Sequence, residues 1–174
     1  MSKQSRLLAI DASVLRSAGA KEGHSSHCAA LLTSILEICH RAAFSGEIKA
    51  EWDKHQSRLS VKWRAAMVAR KKMVVVSIQA RQNALLLQIE SQPGLSMPDR
   101  AALKKDAHML AVSMEADRVI VTGDQILKKL TDGSLGLSLE WLLVHPNDTA
   151  VERQKVMTRL VDLSRNKPNP PLPV

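Results

Sequence analysis

Residues 119–125, VIVTGDQ, are the stretch of this chain of 174 residues on which the prediction of its fold is centred. Four strand-like residues run into Gly123, and a carboxylate, Asp124, follows at once. Gly and Asp both suit tight turns, so a surface turn is one interpretation of the stretch. The other is a buried strand that delivers a carboxylate to an edge of a sheet. The rest of the chain has to decide between them.

Short apolar strands and longer helical segments alternate on both sides of this stretch. A strand over residues 7–10 ends at Asp11, RAAF at 41–44 fits a second strand, and 138–145 fits the last one. This alternation predicts an α/β protein with a mainly parallel sheet covered on both faces. The predicted helices cover residues 28–40, 45–59, most of 61–91, 100–116 and 147–165, with the β-branched stretch at 73–77 left ambiguous.

Capping residues mark the starts of three predicted helices. Ser45 and Asp99 each stand in an N-cap position, and a loop is expected before Asp99, over residues 92–99. Thr149 and Glu152 form a capping box ahead of the closing helix.

Length and composition fit one domain of a reducing compartment. We expect a single domain over residues 1–166 and a Pro-rich tail, disordered or loosely packed, over 167–174. Two cysteines are too few for a disulfide framework. The chain shows neither an apolar signal segment nor the roughly 18 apolar residues of a membrane span. We therefore expect a soluble, cytoplasmic protein without membrane contact.

The net charge of +8 is unevenly distributed. Residues 54–89 hold eight basic residues and no acid, which is typical of a solvated helical face or of a phosphate-binding surface. The chain has no Tyr and one Phe, so aromatic stacking on bases is not expected. If the chain binds a nucleic acid such as RNA, we expect its backbone to be held by Lys62, Arg64, Arg70, Lys71 and Lys72.

Four acidic side chains are predicted to meet at one edge of the sheet. Asp11 and Asp124 each follow the carboxyl end of a strand, and these ends form the functional edge of a parallel sheet. Helical spacing places Asp106 inside an apolar stripe and Glu51 at the margin of another. Asp117 precedes its strand and is expected at the opposite edge.

These carboxylates would repel one another if no equivalent basic partners lay beside them. A divalent cation removes that conflict, and a ligand set made only of oxygen atoms favours Mg²⁺ or Mn²⁺ over Zn²⁺. The pattern therefore predicts a metal site.

The same residues resemble the PIN-domain nucleases. The resemblance runs through IDASVL, AFSGEIKAEWDKH and KKDAHMLAVSMEADRVIVTGDQ, covers about residues 6–146, and is greatest to bacterial and archaeal members that include VapC-like toxins. The last segment is the most specific, because an acid on a helix, then a strand, then Thr-x-Asp is a recurring signature of that family. One departure is Asp-Ala-Ser at Asp11, where Asp-Thr-Asn or Asp-Thr-Ser is commoner. The matching residues are Asp11, Ser13, Glu51, Asp106, Thr122 and Asp124.

The resemblance implies a three-layer α/β/α sandwich with about five strands, which is a common size for such sheets. It implies an endoribonuclease in which the four carboxylates hold one or two Mg²⁺ or Mn²⁺ ions and carry the catalysis. Ser13 and Thr122 would then hydrogen-bond phosphate or orient the metal ligands. A small antitoxin and a homodimer are the partners that VapC-like relatives suggest. The alternative is a non-catalytic PIN-like domain that binds RNA or acts as a scaffold.

Other α/β families fit less well. A receiver domain needs two adjacent acids after its first strand and a lysine after its last, and a haloacid-dehalogenase-like phosphatase needs Asp-x-Asp where Ser13 stands. The glycine-rich nucleotide-binding motifs are missing.

A few remaining side chains carry weaker predictions. The zinc-capable residues between 24 and 40 match no common zinc spacing, so they predict no zinc site; they are His24, His27, Cys28, Cys39 and His40. His108 is expected to be exposed, and Trp52 and Trp63 to be core or interface residues.

Overall fold

A computed structural model describes residues 4–19 and 23–166, without the side chains of 23–26. The predicted Pro-rich tail at 167–174 and the side chain of His24 lie outside the described part. The strands are β1 (Leu7–Ile10), β2 (Arg41–Phe44), β3 (Met73–Val75), β4 (Val119–Thr122) and β5 (Glu140–Leu143). The helices of the described residues are α1 (Ala12–Ser17), α2 (Gly23–Glu37), α3 (Gly46–Lys54), α4 (Arg58–Ala69), α5 (Gln79–Ser91), α6 (Met97–Lys105), α7 (Ala107–Glu115), α8 (Gln125–Ser134) and α9 (Ala150–Leu163).

All five strands run parallel, in the order β3-β2-β1-β4-β5. The prediction of a three-layer α/β/α fold with a parallel sheet is confirmed. The chain builds outward from β1 through β2 to β3 and then returns to place β4 against the other side of β1. The order therefore reverses between β1 and β4, and in such sheets ligands bind outside the carboxyl ends of the strands at this reversal.

The register of β1 and β4 places Asp11 and Asp124 at the carboxyl ends of these strands, as predicted. Ile10 pairs with Val121, and Asp11 N–H donates to the Val121 carbonyl at 2.9 Å, so the ends of β1 and β4 are level. Asp117 lies at the opposite, amino edge, where its carboxylate accepts Leu7 N–H at 2.7 Å.

The core lies on both faces of the sheet and includes two tryptophans. Trp52 donates to the Ile10 carbonyl at 3.0 Å and Trp63 to the Leu32 carbonyl at 2.6 Å, which confirms the prediction that both are core residues. Helix α7 is buried from Ala107 through Ser113, between the sheet and helices α3, α5 and α6. No helix of the described residues is long and apolar enough to cross a membrane.

Two predicted helices are each broken into two. The segment 45–59 ends as a helix at Lys54, because Ser57 and Ser60 form a reciprocal cap that begins α4. The segment 100–116 breaks at Asp106, which ends α6 and precedes α7. Helix α6 also begins earlier than predicted, because its N-cap is Ser96 and not Asp99.

Three short elements were ambiguous or unexpected in the sequence. The ambiguous stretch at 73–77 contains β3, which pairs with β2. Helices α1 and α8 were not predicted, and they begin directly after Asp11 and Asp124. Ser45 and the capping box of Thr149 and Glu152 cap their helices as predicted.

Candidate acidic site at the carboxyl edge of the sheet

A cavity of about 780 Å³ opens at the carboxyl ends of β1 and β4. All four predicted acids line it, together with three cations, two histidines and a cysteine. The ionisable lining residues are Asp11, Arg16, Cys28, Glu51, Lys54, His55, Lys105, Asp106, Asp124 and His145. The structure thus brings the predicted acids to one concave site, at the position where the topology favours ligand binding.

A hydrogen-bond network fixes the Asp11 carboxylate. Ser13 Oγ and Thr122 Oγ1 both donate to its Oδ2, at 2.7 and 2.6 Å, and Ser13 N–H reaches its Oδ1 at 3.2 Å. Thr122 is fully buried. Its hydroxyl also accepts Asp124 N–H at 3.0 Å, so one side chain links both strand ends. This arrangement orients a carboxylate, which is one of the two roles expected of Ser13 and Thr122.

Gly123 lets the chain after β4 approach the backbone at the end of β5 closely. Its N–H donates to Ser13 Oγ at 3.3 Å. A Cβ at this position would lie 3.2 Å from the Val144 carbonyl oxygen and 3.6 Å from Ser13 Oγ. The stretch VIVTGDQ is therefore more than a turn, because its glycine lies close to the Val144 carbonyl and its aspartate lines the cavity.

Asp124 is the N-cap of α8. Its Oδ1 accepts Leu127 N–H at 2.8 Å, which stabilises the first turn of that helix. The side chain is partly exposed and lines the cavity. Asp124 therefore combines a structural role with a place in the candidate site.

Asp106 is the acid whose surroundings are least favourable to its charge. It occupies the break between α6 and α7 and makes no side-chain cap bond to α7. Burial raises the pKa of its carboxyl, and the nearby carboxylates of Asp124 and Asp11 raise it further, while Lys105 and His108 oppose them. This coupling shows that three of the predicted acids lie close enough to repel one another.

Glu51 has a different environment from the three aspartates. Its Oε1 lies 3.2 Å from His108 Nε2, and its side chain is 39% exposed. His108 is 7% exposed, so the prediction that it lies on the surface is wrong. The break at Asp106 starts a new helix with its own phase, and α7 is buried on every side. Spacing along a single continuous helix could not show this.

Three cations line the same cavity, which the sequence did not predict. Arg16 follows the first turn of α1, Lys54 ends α3 three residues after Glu51, and Lys105 precedes Asp106. All three are exposed, and none lies within 4 Å of a carboxylate oxygen of the described residues. The expectation of acids without basic neighbours is therefore too simple, because the cavity holds both signs of charge without direct ion pairs from these cations.

The residues predicted to hold RNA lie elsewhere. Arg70 donates to the Leu36 carbonyl at 3.0 Å, and Lys72 Nζ donates to the carbonyls of Leu36 and Ile38. They therefore stabilise the chain as it leaves α2, at the amino edge of the sheet. Burial lowers the pKa of Lys72, with the charge of Arg70 contributing.

The other members of that predicted set lie on or beside α4. Lys71 follows the helix in a left-handed conformation, with φ of 55°. Arg64 pairs with Asp53 at 2.8 Å and lies over the Trp52 ring, 5.7 Å from its centroid. Lys62 is exposed on α4. None of these residues lines the acidic cavity, and their RNA-binding role stays a prediction.

The chemistry of the site fits an oxygen-ligated divalent cation, although the side chains are not gathered around one point. Among the described side chains, those of residues 4–19 and 27–166, no group of three or more His, Cys, Asp or Glu is arranged to hold a metal ion. Two of the acids already accept hydrogen bonds from the protein, since Asp11 accepts three and Asp124 caps a helix. A positive charge beside Asp106 would stabilise its ionised carboxylate, which burial and the charges of Asp124 and Asp11 disfavour.

Two of the zinc-capable residues between 24 and 40, Cys39 and His40, form hydrogen bonds with backbone groups. His40 is fully buried, with Nδ1 accepting Arg6 N–H at 3.2 Å and Nε2 donating to the Leu160 carbonyl at 2.8 Å. Cys39 donates to the Gln4 carbonyl at 3.1 Å. Burial raises the pKa of the Cys28 thiol to about 11. His40 therefore has no free nitrogen for a metal.

Comparison of the chain with protein-family models, with curated proteins and with solved structures found no match. The resemblance to PIN nucleases stays a prediction from the residues.

Proposed function

We propose that this chain is a Mg²⁺- or Mn²⁺-dependent endoribonuclease whose active site is the acidic cavity. The observation that supports it most is the environment of Asp106. A half-buried carboxyl, whose pKa is raised by burial and by two further aspartates, lies at the reversal of strand order in a parallel sheet. Acids with perturbed pKa values in a cleft are typical of functional sites.

Asp11, Asp106 and Asp124 would hold the cation, with Glu51 at the margin of the site. When bound, the ion would activate water and stabilise charge on the scissile phosphate. Ser13 and Thr122 keep the Asp11 carboxylate oriented, so that its lone pairs need not reorganise when a ligand arrives. RNA as the substrate class is supported by the resemblance.

The three cationic side chains that line the cavity support a phosphodiester substrate. Arg16, Lys54 and Lys105 line the cavity with no carboxylate oxygen of the described residues within 4 Å, so their charges are available to phosphate groups. A phosphate chain crossing the cavity would place negative charge beside these side chains, while its reacting phosphate meets the acidic centre.

Cleavage of a mixed RNA pool tests the proposal. The parent should cut in Mn²⁺ and not in EDTA, and Asp124→Asn should lower the rate by about 100-fold or more. The Asn amide oxygen can still accept Leu127 N–H, so the helix cap survives. Asp162→Asn, outside the cavity on α9, should cut like the parent. A parent that does not cut RNA with either metal contradicts the proposal.

A second candidate is the non-catalytic PIN-like domain that binds RNA or acts as a scaffold. The observation in its favour is that the metal-capable side chains which the structure describes are not arranged around a common point. Such a protein would bind RNA without cutting it, and Mn²⁺ would leave its melting temperature unchanged. A nuclease would be stabilised by Mn²⁺ through mass action.

The proposed partners follow from the same resemblance. A small antitoxin protein and a second copy of the chain are both part of the toxin form of the proposal. Co-expression with the product of a neighbouring short gene, followed by size-exclusion chromatography, would test them.

A further inference from the structure

The loops that follow β4 and β5 contact each other and form one wall of the acidic cavity. Val144 N–H donates to the Thr122 carbonyl at 2.9 Å, and a Cβ on Gly123 would lie 3.2 Å from the Val144 carbonyl oxygen. Apart from Gly123 and Asp124, the lining residues of these loops are Gln125, Ile126, Val144, His145 and Pro146, here called the loop wall. None of them is Asp, Glu, Lys or Arg. The three cations of the cavity come instead from α1, α3 and α6.

Ile126 presents apolar surface to the cavity. It is 67% exposed, and among the large apolar side chains that the described residues leave exposed, it is the one that lines the cavity. Pro146 is also exposed and lines the cavity from the neighbouring loop. One exposed isoleucine is ordinary on a protein surface. Two apolar side chains on touching loops of a polar cavity, however, provide a place where a flat ring can bury its face.

His145 adds a hydrogen-bond donor to the loop wall. Its backbone N–H donates to the Asp148 carboxylate at 2.8 Å, and its Nδ1 accepts Asn147 N–H at 3.2 Å. Because Nδ1 accepts, the ring hydrogen is on Nε2. Within the described part of the chain, neither this Nε2 nor the exposed Gln125 amide makes a hydrogen bond. Both groups are therefore available to a ligand.

We propose that the loop wall is a subsite for a nucleobase of the RNA, beside the phosphate that reacts. The inference rests on the proposed function and assigns the part of the substrate that the metal and the cations do not hold. A nucleotide combines an anionic phosphate with an uncharged, flat base whose edge carries donors and acceptors. The cations from α1, α3 and α6 attract the phosphates, which leaves the loop wall to the base. Ile126 and Pro146 contact the face of the base, and Gln125 and His145 bond to its edge.

Methyl NMR of Ile126 reports on the base without any cleavage, because nucleoside monophosphates contain no phosphodiester bond. In Mg²⁺, the four ribonucleoside 5′-monophosphates should shift the Ile126 methyl resonances through the ring current of the base. Ribose 5-phosphate, which has the phosphate and no base, should not. Val151 is the control, since it is 64% exposed, is likewise the second residue of its helix and lies outside the cavity. Its methyl resonances should stay in place with every probe.

Two outcomes of these titrations overturn the inference. One is the absence of an Ile126 shift with all four nucleotides at millimolar concentration. The other is an equally large shift with ribose 5-phosphate, since the base is then not its cause.

Substitutions of the loop wall test the same contacts through affinity. Ile126→Ala should weaken nucleotide binding by about 3- to 10-fold and leave ribose 5-phosphate unchanged, because only the base loses apolar contact. The matched control Val151→Ala should change neither affinity. An equal loss for nucleotides and for ribose 5-phosphate in Ile126→Ala contradicts a base subsite.

His145→Asn tests the edge of the base. Its amide oxygen can still accept Asn147 N–H, so the loop is kept, but the donor at the Nε2 position is removed. At least one of the four nucleotides should therefore bind more weakly, by about 5-fold or more, since an unpaired group on a base edge is costly. Affinities equal to those of the parent for all four nucleotides overturn the assignment of His145 to the edge.

Cleavage of RNA, measured beside these titrations, separates failure of the inference from failure of the proposed function. A parent that binds nucleotides through Ile126 but cuts no RNA supports the base subsite and overturns the nuclease proposal. A parent that cuts RNA while its Ile126 methyl resonances do not respond to any nucleotide overturns the inference alone.

Discussion

Asp106 lies where an ionised carboxylate costs free energy. It occupies the junction of α6 and α7, and burial is the largest cause of its raised pKa. Asp11 and Asp124 are stabilised by hydrogen bonds from neighbouring backbone or hydroxyl groups, whereas Asp106 makes no side-chain cap bond to α7. Without a bound cation, the ionised form of this carboxyl is therefore disfavoured, mainly by burial and further by the charges of Asp124 and Asp11.

The pH dependence of unfolding should show the free-energy cost of ionising Asp106. Because the folded-state pKa of Asp106 lies above its ordinary value of 3.8, the folded protein binds more protons than the unfolded chain between the two values. This contribution to stability is present at low pH and is lost as pH rises from about 3.8 through the raised pKa. Asp106→Asn cannot ionise, so without metal it should be more stable than the parent at pH 7 in urea denaturation.

Added Mn²⁺ should reverse this order. A cation that binds the folded parent stabilises it by about 2.7 kcal/mol at 100 times its Kd, and it should stabilise Asp106→Asn much less. Asp162→Asn, which loses only an exposed ion pair with Arg165, serves as the control with an unchanged metal response. If Asp106→Asn is less stable than the parent at pH 7 in EDTA, then ionisation of Asp106 does not destabilise the folded protein as expected.

At the scale of elements, α1 and α4 meet at a close backbone approach. Ser57, the N-cap of α4, donates to the Leu15 carbonyl in α1 at 3.3 Å. A Cβ on Gly19, just after α1, would lie 2.1 Å from Ser57 Cβ. This contact joins the helix that follows Asp11 to the helix pair that carries Glu51 and the basic window.

Two glycines give a matched test of that contact. Gly19→Ala should destabilise the protein by about 1–3 kcal/mol, because the new methyl group overlaps Ser57 and the two helices must separate. Gly133→Ala, inside α8 with nothing within 4 Å of its Cβ position, should stabilise by about 0.5–1 kcal/mol through the better helix propensity of Ala. Urea denaturation measures both, and a neutral Gly19→Ala would show that the loop accommodates the methyl group.

Elements with strong local signals were predictable, and those defined by tertiary contacts were not. β1, β2, β5 and the closing helix have an apolar run or a capping box of their own. β3 has three residues and gains its strand conformation from pairing with β2. α1 and α8 begin at the predicted acids, so an aspartate that was assigned only to the site also caps a helix.

The same limit applies to the site. Asp11 and Asp124 could be placed from strand ends, because parallel strands bring their carboxyl ends to one edge. His108 could not, since its burial depends on the break at Asp106 and on packing around α7. Arg16 and Lys54 could not be assigned to the cavity either, because that requires knowing how α1 and α3 lie beside the sheet.

At the scale of the whole molecule, the positive charge is divided between two opposite edges. Arg16, Lys54 and Lys105 surround the acidic cavity at the carboxyl edge. Arg70 and Lys72 lie at the amino edge, where they donate to backbone carbonyls near the end of α2. Strands of three or four residues separate the edges by about 10–13 Å, so one phosphate group cannot contact both sets.

Salt-dependent RNA binding should distinguish the two edges. We expect replacement of Arg16, Lys54 and Lys105 by Gln to weaken binding of unrelated single-stranded RNAs and to flatten the dependence of log Kd on log salt by about 0.7 for each phosphate that is no longer neutralised. Replacement by Gln of Arg70, Lys71 and Lys72, which the sequence predicts to hold an RNA backbone, should lower stability, because two backbone carbonyls near α2 lose their donors. Fluorescence anisotropy over a salt series and urea denaturation measure the two effects. A larger change of salt slope in the second variant would place the RNA at the amino edge, away from the four carboxylates, and would separate binding from the proposed site of cleavage.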